Sequence, residues 1–262
     1  MWKSITGSDS MKEQAGGKAA YEPFGFLLRR ALEQAFPHCE VEEIPIKTDW
    51  QNGQGIFSSA LPFLCAQKAQ IPLSNAAERL AACLPERDRL FSRLEKSGGY
   101  LNFFPSFDWY AGCFQALSKS ASFSAWSITE EDFGFFAAAP SPAAARIQKT
   151  FVRLCMVLRG CLAEKIPLDP LAASPQLLCE PEEQSLIFSS FRLASAGDGN
   201  RLLVLEEIAG AFNRFYNVRR VWSPNPSLTC SRAALCLICG AGMEREMESA
   251  GIFPDCSFLS KT

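Results

Sequence analysis

The chain has 262 residues, 48% of them hydrophobic and 21% charged, with a formal net charge of −2. This composition is ordinary for a globular protein and excludes collagen-like, low-complexity and strongly charged disordered chains. No apolar run reaches the roughly 18 residues that a membrane-spanning helix needs, and Met1–Ser10 lacks the apolar core of a signal peptide.

The cysteines number 11, an odd count at irregular spacings, which argues against a disulfide framework. Cys236-Leu-Ile-Cys239 has a metal or redox spacing. It lies in the apolar stretch from Ala233, however, with no second CxxC and with His38 as the single histidine. Free cysteine packs as a small hydrophobe, so a core role, no metal and a reducing cytoplasm are expected. Residues 1–142 carry 13 Lys+Arg against 16 Asp+Glu, a balance of −3; residues 143–262 carry 13 against 12, a balance of +1. Any nucleic-acid binding would therefore use a local basic face, not the total charge.

Residues 1–22 are polar and Gly/Ser/Lys-rich, and read as a disordered leader in which Met11 is a second candidate start. From Pro23, the spacing of Phe24, Leu27, Leu28, Ala31, Leu32, Ala35 and Phe36 predicts an amphipathic helix that Pro37 ends. Cys39–Ile46 reads as a strand and Asn52-Gly53 as a turn. Ile56–Ala69 reads as a helix perturbed by Pro62, and Ser74 as the cap of a helix over Asn75–Leu84. Strands over Arg89–Leu94 and Tyr100–Phe104 would join through Gly98-Gly99, followed by a helix from Ser106 to Leu117.

Lys119–Pro142, rich in Ser, Ala and Pro, reads as a linker, and Phe123, Trp126, Phe133, Phe135 and Phe136 suggest that it packs on a domain. Beyond it four amphipathic helices are predicted: Ala143–Leu162, with the stripe Ile147, Phe151, Leu154, Leu158 and Leu162; Pro181–Leu193; Asn200–Val221, with Leu202, Leu205, Ile208, Phe212 and Phe215; and Thr229–Ala250, stopped by Gly251. The expected fold is an α+β domain over residues 23–118, a linker over 119–142 and an all-α bundle over 143–262.

Specific residues then carry a resemblance. Gly53-Gln-Gly-Ile-Phe-Ser-Ser-Ala-Leu61, Pro72 with Ala76-Ala-Glu-Arg-Leu80, and Gly98-Gly-Tyr-Leu-Asn-Phe103 resemble the N-terminal domain of arginyl-tRNA synthetase. Pro142-Ala-Ala-Ala-Arg-Ile147, Glu206-Glu-Ile-Ala-Gly-Ala-Phe-Asn-Arg-Phe-Tyr216, Arg232-Ala-Ala-Leu235 and Ser249-Ala-Gly-Ile252 resemble the helical anticodon-binding (DALR) domain of the same class I enzyme. In that enzyme a catalytic fold separates the two domains, whereas here a short segment does.

The resemblance implies tRNA contacts. Tyr100 and Asn102 occupy the positions of an aromatic and an amide that meet the D-loop, and i, i+2 residues of a strand share a face. Arg146 and Tyr216 would line the anticodon pocket, by charge and by stacking. Lys149 and Arg153 follow Arg146 at i+3 and i+7, and Arg214, Arg219 and Arg220 add charge at the end of a second helix. The plainer readings stay open: an ordinary strand, a packed tyrosine and a solvated charged face.

The family's His-x-Gly-His signature and Lys-Met-Ser-Lys-Ser loop, which neutralise ATP phosphates, have no counterpart, nor do a P-loop or a GxGxxG. The expectation is a non-enzyme without cofactor: a cytoplasmic tRNA-binding protein, with tRNA-Arg as the form the family implies, serving as an adaptor for tRNA modification or translation. Two alternatives remain. One is an interaction or homodimerisation module that has lost RNA; the other is a regulatory subunit of a split synthetase.

Overall fold

The computed structural model describes residues 15–51, 54–85, 88–121, 141–195 and 201–252, with the side chains of 15–22, 50, 51 and 54 left aside. The aromatic linker residues Phe123, Trp126, Phe133, Phe135 and Phe136, and the turn at Asn52-Gly53, lie outside the described residues. The chain divides into two compact units, and the break in the backbone falls between Ser106 and Phe107.

The first unit packs three helices, α1 (Ala15–Ala35), α2 (Leu61–Ala69) and α3 (Leu73–Ala82), with a four-stranded sheet in the order β1-β2-β4-β3. Its strands are β1 (Ile46–Gln51), β2 (Gln54–Ser59), β3 (Phe91–Ser97) and β4 (Tyr100–Pro105). The core is aromatic. Phe24 of α1 lies 4.4 Å from Phe57 and 5.6 Å from Phe103, ring centre to ring centre, and Phe91 lies 5.1 Å from Phe103. Leu28, Leu61, Leu80 and Leu101 are fully buried with them. Gly98 (φ 56°) and Gly99 (φ 86°) make the left-handed turn of the β3–β4 hairpin, where a residue with a Cβ would be strained.

Several expected boundaries move. Helix α1 starts at Ala15, so residues 15–22 are helical and not part of a disordered leader. Residues 39–45 form no strand. Arg29 takes the carbonyls of Val41 and Glu42 at 2.9 and 3.0 Å, so those acceptors are not available to a ladder, and Pro45 has no N–H to give. The segment from Ile56 is a strand as far as Ser59, and Pro62 sits in the first turn of α2, where its missing N–H costs nothing. Pro72 precedes α3, which places Ser74 inside the first turn and not at the cap.

The second unit is helical: α4 (Phe107–Ser118), α5 (Pro142–Ala163), α6 (Pro181–Ala194), α7 (Arg201–Val218) and α8 (Pro226–Ser249). Helix α4, expected in the N-terminal domain, packs on α6: Trp109 lies 5.8 Å from Phe188 and 5.3 Å from Phe191. The α+β boundary therefore falls before α4 instead of at residue 118. On α5 the stripe Ile147, Phe151, Leu154 and Leu158 is fully buried, but Leu162 is half-exposed and Cys161 takes its inward place. Leu202, in the first turn of α7, is likewise exposed, while Leu205, Ile208, Phe212 and Phe215 are buried. No described helix is long and apolar enough to cross a membrane.

Three helix ends meet at one buried ion pair. Arg232 of α8 donates from Nε to Glu183 Oε1 at 2.7 Å and from Nη1 to the Arg220 carbonyl at 2.8 Å. The other oxygen of Glu183 accepts the Glu180 amide at 2.9 Å and closes the capping box of α6. Glu183→Ala leaves the Arg232 charge buried without its counter-ion and is expected to cost about 3–5 kcal/mol in urea denaturation. Adding Arg232→Met is expected to recover part of that loss, because both charges are then gone.

Candidate nucleic-acid interface

Ser141 caps α5 by accepting the Ala144 amide at 3.1 Å, and Pro142 follows at the first helical position. Burial of the Ile147–Leu158 stripe turns Arg146, Lys149 and Arg153 outward, as their i, i+3, i+7 spacing predicts. Helix α7 lies alongside. Arg146 pairs with Glu206, and Arg153 donates from Nη1 to Asn213 Oδ1 at 2.6 Å. Asn213 in turn donates to Thr150 Oγ1 at 2.9 Å, so its side chain is fixed from both sides. Lys149 is exposed and has no ion-pair partner among the described residues.

Tyr216 is 40% exposed, and its ring stacks on Phe212 with centroids 6.0 Å apart and planes at 22°. The Arg153 guanidinium carbon lies 5.7 Å from the Tyr216 centroid, within cation–π range. Phe212 and Arg153 thus both approach the ring, part of which stays open to solvent. The structure brings Arg146, Lys149, Arg153 and Tyr216 onto one α5–α7 surface.

A residue not singled out in the sequence extends that surface. Trp222 is 43% exposed and lies against Gly160 of α5, where an added Cβ would stand 3.2 Å from the indole. Gly160 continues the outward progression Lys149, Arg153, Met156 along α5. A glycine inside a helix costs roughly 0.5–1 kcal/mol relative to alanine, and here it leaves room for an aromatic ring. That glycine was the signal available in the sequence.

Arg219 serves a different purpose. Its guanidinium pairs with Glu180 at 2.6 Å and Glu182 at 3.0 Å, joining the end of α7 to the start of α6. The Arg220 side chain is exposed, and its carbonyl is the acceptor of Arg232. In the first unit, Tyr100 is 43% exposed and meets Phe63 edge-on at 5.1 Å. Asn102 is only 7% exposed, and its Oδ1 accepts the Ser58 hydroxyl at 2.7 Å from the opposite position on β2. The two residues therefore present no open aromatic–amide pair. A central strand places Asn102 between β2 and β3, where its acceptor is already used.

Elsewhere His38 is exposed, and Cys236 and Cys239 are fully buried in α8, with burial pushing both thiols well up. Among the described residues no three His, Cys, Asp or Glu side chains gather as a metal site.

Comparison with known families places the first unit. Residues 26–104 match the arginyl tRNA synthetase N terminal domain. The match runs from within α1 to β4 and covers Phe57, Phe91 and Phe103 of the aromatic core, the Gly98-Gly99 hairpin, Tyr100 and Asn102. It supports a relation of this chain to arginyl-tRNA synthetase. Comparison with curated proteins and with solved structures found no significant match. The resemblance of the helical unit to the synthetase's anticodon-binding domain rests on its own residues.

Glu182 carries the clearest electrostatic signature near this surface. Desolvation pushes its carboxyl up, but its own backbone amide and the Arg219 guanidinium outweigh that and hold it below the usual carboxylate range. A lowered folded-state value means that the pair stabilises above the unfolded carboxylate range and ceases to do so as the pH falls through the folded one. In denaturation series, the stability difference between wild type and Arg219→Ala is expected to be full at neutral pH and to vanish in acid.

Proposed function

We propose that the protein is a non-catalytic, cytoplasmic tRNA-binding protein related to arginyl-tRNA synthetase, with a helical unit of the DALR anticodon-binding type. The observation that carries this reading is the α5–α7 surface, which joins outward cations to a half-open aromatic ring. The family match in the first unit supplies the tRNA context. Single-stranded nucleic acid is held by this chemistry: cations track the phosphates and bases stack on rings. Arg146, Lys149, Arg153, Tyr216 and Arg220 are assigned to the anticodon arm, and Tyr100 to a base of the D-loop region by its exposed ring. Arg219 and Asn102 support these positions from inside the fold.

Gel-shift titration with total tRNA at low salt tests the reading. Binding in the micromolar range or tighter is expected, weakening steeply as salt rises because each neutralised phosphate releases counterions. Tyr216→Ala should cost about 1–3 kcal/mol, roughly 5- to 150-fold in Kd. Lys149→Ala should reduce the salt slope by about one. A flat titration at low salt sinks the proposal.

A second reading, a protein-interaction module, is favoured by the internal neutralisation of Arg146 by Glu206 and of Arg219 by Glu180 and Glu182. It predicts a dimer by light scattering, or a partner retained after RNase treatment, together with no shift of tRNA.

A further inference from the structure

Two cysteines far apart in sequence meet in the first unit. Cys39 opens the segment between α1 and β1, its amide bonded to the Phe36 carbonyl at 2.9 Å. Cys65, on α2, is fully buried, and Cys39 is the neighbouring thiol that acts on the Cys65 thiol. The segment is held in place independently of the sulfurs. Arg29 takes the carbonyls of Val41 and Glu42, and Lys68, on the same helix as Cys65, donates to the Glu40 carbonyl. These side-chain donors tie residues 40–42, just after Cys39, to α1 and to α2.

Access is one-sided. Cys39 is half-buried and lines an open cavity of about 270 Å³ with Arg29, Glu33, Glu40 and Val41. Cys65 has no exposed surface. A small oxidant therefore reaches Cys39 before Cys65.

We propose that Cys39 and Cys65 are a reversible thiol–disulfide modification site, oxidised by a peroxide, that fastens the α1–β1 segment to α2. The Cys39 sulfur attacks one peroxide oxygen and breaks the O–O bond, giving a sulfenic acid and, for hydrogen peroxide, one water. The Cys65 sulfur then attacks the Cys39 sulfur and displaces its hydroxide, which leaves as a second water with the Cys65 proton. The two thiols lose two electrons and two protons, and the peroxide is reduced to water. Burial first, then the neighbouring Cys39, push the Cys65 thiol up to about 12. The raised Cys65 thiol is a poor first nucleophile, and it gives up its proton only as it attacks the sulfenic acid. The order of the two steps follows from access, since Cys39 has exposed surface and Cys65 has none. A thiol reductant reverses the bond.

This site belongs to the first unit and the α5–α7 surface to the second, and the proposal does not depend on the tRNA reading. The full chain, reduced and then treated with hydrogen peroxide, is alkylated without reduction, digested and analysed by mass spectrometry. A linked peptide pair carrying Cys39 and Cys65, lighter by two hydrogens than the separate thiol peptides, is expected. It should be lost with dithiothreitol and absent from Cys39→Ser. In Cys65→Ala, dimedone is expected to tag Cys39, since no resolving thiol remains. If Cys65→Ala does not fold, the wild type and the surface-side Cys39→Ser decide the matter on their own. Oxidised wild type in which both thiols are still separately alkylated, or in which Cys39 is linked to another cysteine, overturns the proposal.

Discussion

The helical unit turns on the pair between Arg232 and Glu183, which joins three helices at their ends. Glu183 is fully buried, and both of its oxygens are used, one by Arg232 and one by the Glu180 amide. Arg232 spends its remaining reach on the Arg220 carbonyl, just beyond the end of α7. A buried ion pair is weak evidence for stability, since desolvation can cancel its attraction. Its contribution here is register: the charges are satisfied only when the start of α6, the end of α7 and the start of α8 lie at fixed positions. Arg219 adds an outer layer to the same junction through Glu180 and Glu182.

The outward surface inherits its order from that junction. Tyr216 lies in the last turn of α7 and Trp222 in the segment just after it, so the two rings flank the anchored end. On the α5 side, the Arg153–Asn213–Thr150 chain locks the middle of the two helices together. Cations along the surface then fall into two kinds. Arg146, Arg153 and Arg219 each have partners within the fold, whereas Lys149 and Arg220 are exposed without an ion-pair partner among the described residues. A phosphate arriving here has free ammonium and guanidinium charge to neutralise it, and competes with Glu206 for Arg146. Exposed pairs of that sort are worth only about 0–1 kcal/mol, so the competition costs little.

Much of this was legible in the sequence, and what was not has identifiable physical reasons. The helical periodicities of α5 and α7 located their inner faces except at Leu162 and Leu202, near helix ends, which are exposed. The Gly98-Gly99 hairpin was equally clear, since only glycine accepts both left-handed positions cheaply. Residues 39–45 misled because their apolar pattern suits a strand, while the side chain that takes their carbonyls, Arg29, lies on the preceding helix. Helix α4 misled for a similar reason. Its apolar face is plain in the sequence, but which domain receives Trp109 and Tyr110 depends on Phe188 and Phe191, distant along the chain. At the site, spacing located the outward cations but could not show which were already paired. Asn102 is the sharpest case, because strand parity set its face correctly and could not show that Ser58 stands opposite.

The two units differ in how they treat their polar contact positions. In the first, within the region that matches the synthetase domain, the amide at Asn102 has turned to a neighbour and only the Tyr100 ring remains open. In the second, the chain keeps a glycine inside α5 where alanine would strengthen the helix, and keeps a tryptophan half in solvent beside it. The glycine weakens the helix while it lets the indole pack against α5, and the exposed part of the indole forgoes burial worth about 25 cal/mol for each Å² left in water. Two local losses at one place on the surface fit the binding face proposed for α5 and α7. That cost is concentrated on α5 and its junction with the segment after α7, where a nucleic-acid grip has the most to work with.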